Sequence, residues 1–250
     1  MRNLRLEIEY DGKNYCGWQS QRRLKRKKSV QETLERTLRK ILQEKIHLAA
    51  SGRTDAGVCA LGQVANFKTE SNIALKKLER ALNGLLPGDI SISGIEEAPL
   101  DFHSCFDAKS KIYRYSILNR KFPSALLRNK VYFYPFPLDV KLMREEAKFL
   151  LGRHDFKAFC ASGSSVKDTI RSIKEINIRR VSPAGLIILE IEADGFLYNM
   201  VRNIVGTLLE TGRGRFPQGS LKKILLSRKR TLAGPTVPAQ GLCLVKVKYA

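Results

Sequence analysis

Along the first ten residues apolar and polar side chains alternate. Leu4, Leu6, Ile8 and Tyr10 fall on one face and Arg5, Glu7 and Glu9 on the other, the pattern of a half-buried strand over 3–10. A basic, polar loop follows. Ser29-Val30-Gln31-Glu32 then reads as a capping box, in which hydroxyl and carboxylate each satisfy a backbone amide of a new helix. Behind it Val30, Leu34, Leu38, Ile41 and Leu42 recur at helical spacing. Extended segments are expected at 46–50 and 61–68, a second helix at about 71–83, and strands at 90–95 and 111–118. The second half predicts a helix over roughly 138–151 and strands at about 170–180 and 186–193. An apolar helix at 197–211, a shorter one at 219–227 and a last strand at 242–249 complete it.

Strand–helix–strand units in both halves point to an α+β protein with antiparallel-leaning sheets backed by helices. The chain has 250 residues, enough for one large domain or two smaller ones. The Pro-rich stretch 133–139 is the best candidate boundary, giving an N-terminal half 1–132 and a C-terminal half 133–250. No apolar run approaches the roughly 18 residues of a membrane span, and the N-terminus reads as a strand rather than a signal peptide. A cytoplasmic protein without a membrane partner is the expectation. Cys16, Cys59, Cys105, Cys160 and Cys243 are scattered, with no Cys-x-x-Cys or His-x-x-Cys pair, so the spacing suggests neither a disulfide framework nor a metal cluster.

Charge narrows the choice of partner. The chain carries 45 Lys plus Arg against 24 Asp plus Glu, a formal +21. Residues 22–28 read Arg-Arg-Leu-Lys-Arg-Lys-Lys, and residues 211–250 hold nine basic side chains and no acidic one. Clusters of this kind attract phosphate backbones and release counterions, which favours nucleic acid over a solvated loop or an anionic membrane.

One carboxylate stands out by its surroundings. Asp55 lies in Ser51-Gly52-Arg53-Thr54-Asp55-Ala56-Gly57-Val58, where flanking glycines allow a sharp turn and Arg53 could keep the carboxylate ionised for nucleophilic attack. On spacing alone, a local ion pair with a hydroxyl cap is the commoner account of such a turn. On the apolar helix, Leu197, Val201, Ile204, Val205 and Leu208 define one face, with Arg202 at its edge and Gly206 leaving room beside it. An arginine there is expected to seek a carboxylate.

Several motifs in order carry a resemblance. Tyr10-Asp11-Gly12 with Gly17-Trp18-Gln19, then the Asp55 stretch continuing to Gly62-Gln63-Val64 and Phe67, are followed by Phe102-His103 and Tyr113-Arg114-Tyr115. His154-Asp155-Phe156, Asp194-Gly195-Phe196-Leu197-Tyr198-Asn199-Met200-Val201-Arg202 and Gly241-Leu242 complete the series. Together they resemble the TruA family of tRNA pseudouridine synthases from end to end. The resemblance implies the pseudouridine synthase fold, two similar α/β halves whose sheets join across a central basic cleft. It implies a homodimer acting on tRNA, with uridines 38, 39 and 40 of the anticodon stem-loop as targets. It implies no cofactor and no metal, since isomerisation is redox-neutral.

The resemblance also implies roles. Asp55 matches the nucleophile, on base or sugar, and Arg202 the arginine that pairs with it. Tyr113 matches the tyrosine that stacks on the flipped uracil, and Leu242 the leucine beneath the base. Phe102 and His103 fall in a stretch that contacts RNA, in which Ser104-Cys105 stands where the family usually has Ala-Arg. Arg22, Arg23, Lys25, Arg26, Lys27 and Lys28 match a basic loop that touches the tRNA backbone, and Lys167 and Arg171 a second contact segment. Cys59 stands where the family usually has His, and with no His near it in sequence it is not expected to be a nucleophile. A non-catalytic RNA-binding protein would explain the charge but leave Asp55, Arg53 and Arg202 without a joint purpose. A metal-dependent nuclease would need convergent carboxylates, which Asp11, Asp55 and Asp194 do not suggest.

Replacing Lys25, Arg26, Lys27 and Lys28 together with Ala lowers tRNA affinity and flattens its dependence on salt, measured as log Kd against log salt concentration. An unchanged slope would mean that the run does not engage phosphates.

Overall fold

The structure, a computed structural model, describes residues 1–19, 28–163, 166–181 and 185–249. In chain order its elements begin with β1 (Arg2–Tyr10), α1 (Val30–Leu42), β2 (Ala49–Ala50), β3 (Cys59–Thr69), α2 (Leu75–Leu85) and β4 (Ile90–Ala98). Then come β5 (Ser110–Leu118), β6 (Tyr132–Phe133), α3 (Val140–Ala147), β7 (Gly152–Asp155), β8 (Ile170–Arg180) and β9 (Leu186–Ala193). The chain continues through α4 (Met200–Gly212), α5 (Ser220–Ser227) and β10 (Leu242–Lys248). The fold is mixed α+β, as the periodicity predicts.

Two compact units divide the chain, Met1–Lys109 with Cys243–Ala250, and Ser110–Leu242. They part at 109/110 and again at 242/243, not at the Pro-rich stretch. Two pairings account for this: Tyr132 and Phe133 of β6 pair with Ile117 and Leu118 of β5, and Cys243 and Leu244 pair with Cys59 and Ala60.

In the first unit β1 lies between β3 and β4, antiparallel to both, with β2 beside β3 and β10 parallel to β3. The alternation of β1 is realised in full. Leu4, Leu6, Ile8 and Tyr10 are buried, while Glu7 and Glu9 are exposed. The capping box opens α1 as expected, with both Ser29–Glu32 bonds present. Val30, Leu34 and Leu38 are buried, α1 packs on α2, and α2 on β4. The second helix starts at Leu75, later than expected, because residues 71–74 are held extended: Arg2 donates to the Ser71 and Ile73 carbonyls.

In the second unit the strand order is β5-β9-β8-β7, antiparallel throughout, with β6 parallel to β5. β8 and β9 keep the expected bounds. Central β9 is buried along most of its length, including Ile187, Leu189 and Ile191. Helix α3 packs on β8 and α4, and α5 on α3. The expected 138–151 helix is α3 followed by a 3-10 turn at Lys148–Leu150. The residue before helix α5, Gly219, has no side chain to cap it. Buried Glu146 of α3 supplies the acceptors instead, taking the Gly219 amide at 2.6 Å and the Leu221 amide at 3.1 Å.

Glu146→Ala leaves those amides without an acceptor and is expected to lower the urea-unfolding free energy by about 2–4 kcal/mol. Glu146→Gln, which keeps one acceptor oxygen, recovers part of the loss.

Candidate active site

In the first unit the loop from β2 to β3 is tied down before the chain reaches Asp55. Ser51 donates its amide to the Val64 carbonyl (2.8 Å) and its hydroxyl to the Gln63 side-chain oxygen (2.7 Å). The Gln63 amide group donates back to the Gly52 carbonyl at 2.9 Å. Gln63 is fully buried, so these contacts satisfy a carboxamide that water does not reach. Thr54 then turns inward, its hydroxyl 2.8 Å from that of Tyr10. Burial pushes the Tyr10 phenol far above its ordinary ionisation range, so it stays a neutral hydroxyl at physiological pH. With Thr54 inside, Arg53 is left exposed.

The other wall of this loop is Gly17-Trp18. Asp55 forms an isolated bridge with Gly17, and the Trp18 amide donates to the Thr54 carbonyl at 3.0 Å. Gly17 has φ +106°, and a Cβ there would sit 2.5 Å from the Thr54 oxygen, so only glycine fits. The Gly17 and Trp18 carbonyls accept the Val30 and Gln31 amides, so the start of α1 holds the wall that holds the loop. Gly12 sits so close that an added Cβ would be 2.0 Å from the Val58 carbonyl oxygen. Tyr10-Asp11-Gly12 and Gly17-Trp18 thus form a clamp around Asp55, which is itself half-buried. Half-buried Cys59 donates its thiol to Asp11 Oδ1 at 3.5 Å.

The Phe102-His103 turn lies in the same unit. Buried Asn66 of β3 donates to the Phe102 carbonyl and accepts from the Ser104 amide and hydroxyl. Tyr249 donates its hydroxyl to the Ser104 carbonyl, and its ring lies 5.2 Å from that of Phe102. His103 stacks on exposed Phe106 at 4.2 Å. Ser104 thus has an anchoring role, while Cys105 is exposed.

In the second unit Tyr113 lies on β5 opposite Ile191, buried, with the edge of Phe196 5.0 Å from its ring. Helix α4 starts at Met200 rather than 197 because Asn199 adopts a left-handed conformation at the N-cap. Arg202, half-buried, donates to the Val237 carbonyl at 2.7 Å and to the Asn199 side-chain oxygen at 2.6 Å. Gly206 does not make room for Arg202: an added Cβ would lie 1.8 Å from the Pro235 carbonyl oxygen. Segment 233–238 runs as a strap against α4. Fully buried Asn203 accepts from the Thr236 hydroxyl and Arg230, and donates to the Phe159 carbonyl. Tyr115 donates to the Pro238 carbonyl, just before the Ala239–Gly241 turn that leads to buried Leu242.

Arg22, Arg23, Lys25, Arg26 and Lys27 lie outside the described residues, and Lys28 is exposed. Lys167 is exposed too. Half-buried Arg171 donates to the Ile170 and Asp168 carbonyls and lies against Gly195. Asn66, Asn203 and Thr236 were not singled out in sequence. For Asn66 and Asn203 the one signal is a polar residue inside a strand or helix that periodicity makes apolar; Thr236 lies in an irregular segment and carries no such signal.

Gly17→Ala should lower stability by about 2 kcal/mol or more through strain and collision. The measurement is the melting temperature, together with faster hydrogen exchange at the Trp18 and Val58 amides. Unchanged exchange would mean that the wall does not hold the loop.

The profile of the tRNA pseudouridine synthase family matches residues 7–107 and 147–250. Proteins called tRNA pseudouridine synthase A from Acetivibrio thermocellus, Clostridium acetobutylicum and Caldicellulosiruptor bescii are 49%, 48% and 47% identical to it over 249 residues, covering 100% of each chain. A chain of a solved Cbf5-Nop10-Gar1 complex superposes with a TM-score of 0.36 at 12% identity, over 84% of this chain and 43% of that one. With a profile match over most of its length and relatives near half identical from end to end, the chain belongs to the tRNA pseudouridine synthase family.

Proposed function

We propose that the protein isomerises uridine to pseudouridine in the tRNA anticodon stem-loop, at positions 38, 39 or 40, with Asp55 as nucleophile. The observation that carries the reading is the clamp on the Asp55 loop: a half-buried carboxylate held between a buried Thr54 and the Gly17 bridge. A carboxylate used for attack needs such fixed placement, because positioning supplies much of the rate.

In this reading the target base leaves its stack, Asp55 attacks the nucleoside, and the C1′–N1 bond breaks. The uracil turns, a C1′–C5 bond forms and the bond to Asp55 is released; N1 takes up a proton and the C5 proton passes to solvent. Tyr113 stacks on the base and Leu242 packs beneath it. Arg202 balances the Asp55 charge in the reacting complex. Its bonds to Asn199 and Val237 hold the guanidinium for that task. Arg53, two residues before Asp55 and exposed, adds positive charge that helps keep the carboxylate ionised. Phe102 and His103, with Lys28, Lys167 and Arg171, bind further along the tRNA. The enzyme works in the cytoplasm as a homodimer and draws on no cofactor. Among the described residues no helix is long and apolar enough to cross a membrane.

The test uses tRNA tritiated at uridine C5. The protein releases label to water without cutting the chain, and Asp55→Ala reduces release by on the order of a thousandfold or more while tRNA binding persists. Full release by Asp55→Ala would overturn the nucleophile. Binding without release by the unaltered protein would make it a binding protein.

A further inference from the structure

Cys59 and Cys243 are far apart in sequence but opposite one another where β10 meets β3 in parallel. Paired strands lie about 4.8 Å apart and paired residues share a face. That spacing falls within the roughly 4.4–6.8 Å Cα separation that a disulfide requires. Gly62 favours the approach: a Cβ there would lie 2.7 Å from the Val245 carbonyl oxygen, so a larger residue would push β10 away. Both cysteines are partly exposed thiols. Cys59 is also the residue at which the Asp55 loop enters β3, one position after Val58, whose amide donates to the Asp55 carbonyl at 3.1 Å.

We propose that Cys59 and Cys243 form a reversible disulfide site that ties the end of the Asp55 loop to β10 and switches the enzyme off. The inhibitory half of this proposal rests on the assignment of Asp55 as nucleophile; the bond itself does not. The oxidant is a low-molecular-weight disulfide. The Cys59 thiolate attacks it and expels one thiolate, and the Cys243 thiolate then attacks Cys59 Sγ and expels the second. Two protons pass from the cysteines to the two departing thiolates, and the two electrons lost by the protein reduce the small disulfide. Oxidation removes the thiol proton that Cys59 donates to Asp11 and draws Sγ toward β10. Because Gly12 is already in contact with Val58, the loop has no slack to absorb that movement without shifting Asp55.

The full-length protein is treated with oxidised glutathione, digested without reduction and mapped by mass spectrometry, and tritium release is measured before and after dithiothreitol. The expected result is a 59–243 linked peptide and a fall in kcat of about tenfold or more, the order expected from misplacing a reacting group. Dithiothreitol restores the rate. Cys59→Ser and Cys243→Ser, with activity close to the unaltered protein when reduced, lose both the link and the inhibition. Oxidation confined to exposed Cys105, with no 59–243 peptide, overturns the site. A complete link with full activity overturns the switch. Absence of tritium release from the reduced protein would instead tell against the proposed function, while the peptide map still decides the bond.

Discussion

A carboxamide sealed from water must find its donors and acceptors inside the protein, and Gln63, Asn66 and Asn203 do so by gripping loops. Gln63 holds Ser51 and Gly52 at the entry to the Asp55 turn. Asn66 holds Phe102 and Ser104. Asn203 holds Thr236 and Arg230, and so the strap beside Arg202. Each anchor sits on a strand or helix, and leaving it unpaired would cost about 1–3 kcal/mol per group. Loops that would otherwise drift are thereby placed with the accuracy of the sheet or helix beneath them. That is what a site assembled from loops requires.

Close backbone approach does the complementary work. Where Gly12 meets Val58, Gly17 meets Thr54 and Gly206 meets Pro235, the absent side chain lets two backbones touch. The polar anchors give these contacts their register, and the contacts give the anchors their reach. Arg202 shows the result: two bonds, one to its own helix start and one to the strap, restrain a long side chain that would otherwise sample many rotamers.

Much of this was legible in the residues. The alternation of β1, the capping box of α1 and the bounds of β8 and β9 follow from local period and turn chemistry, which act over a few neighbouring positions. What was not legible depends on distant partners. Asn199 in a left-handed cap shortens α4 at its start, and nothing local required it. Gly206 looked like space for Arg202, but the Pro235 carbonyl occupies it, and no helical wheel contains residue 235. The unit boundary was misjudged for the same reason. Proline content marks stiffness, whereas the partition follows strand pairing, and β10 pairs with a strand laid down nearly two hundred residues earlier.

That return has a consequence for the order of events during synthesis. Residues 1–109 emerge first, but the unit they belong to also needs 243–249, and the Ser104 carbonyl waits for the Tyr249 hydroxyl. Ser110–Leu242 leaves the ribosome between the two and is continuous in sequence, so it can reach its own contacts first. The unit that begins the chain is therefore the one completed last. An unfinished chain carries the Asp55 loop beside strands that still lack β10, so this unit is completed only when translation reaches it.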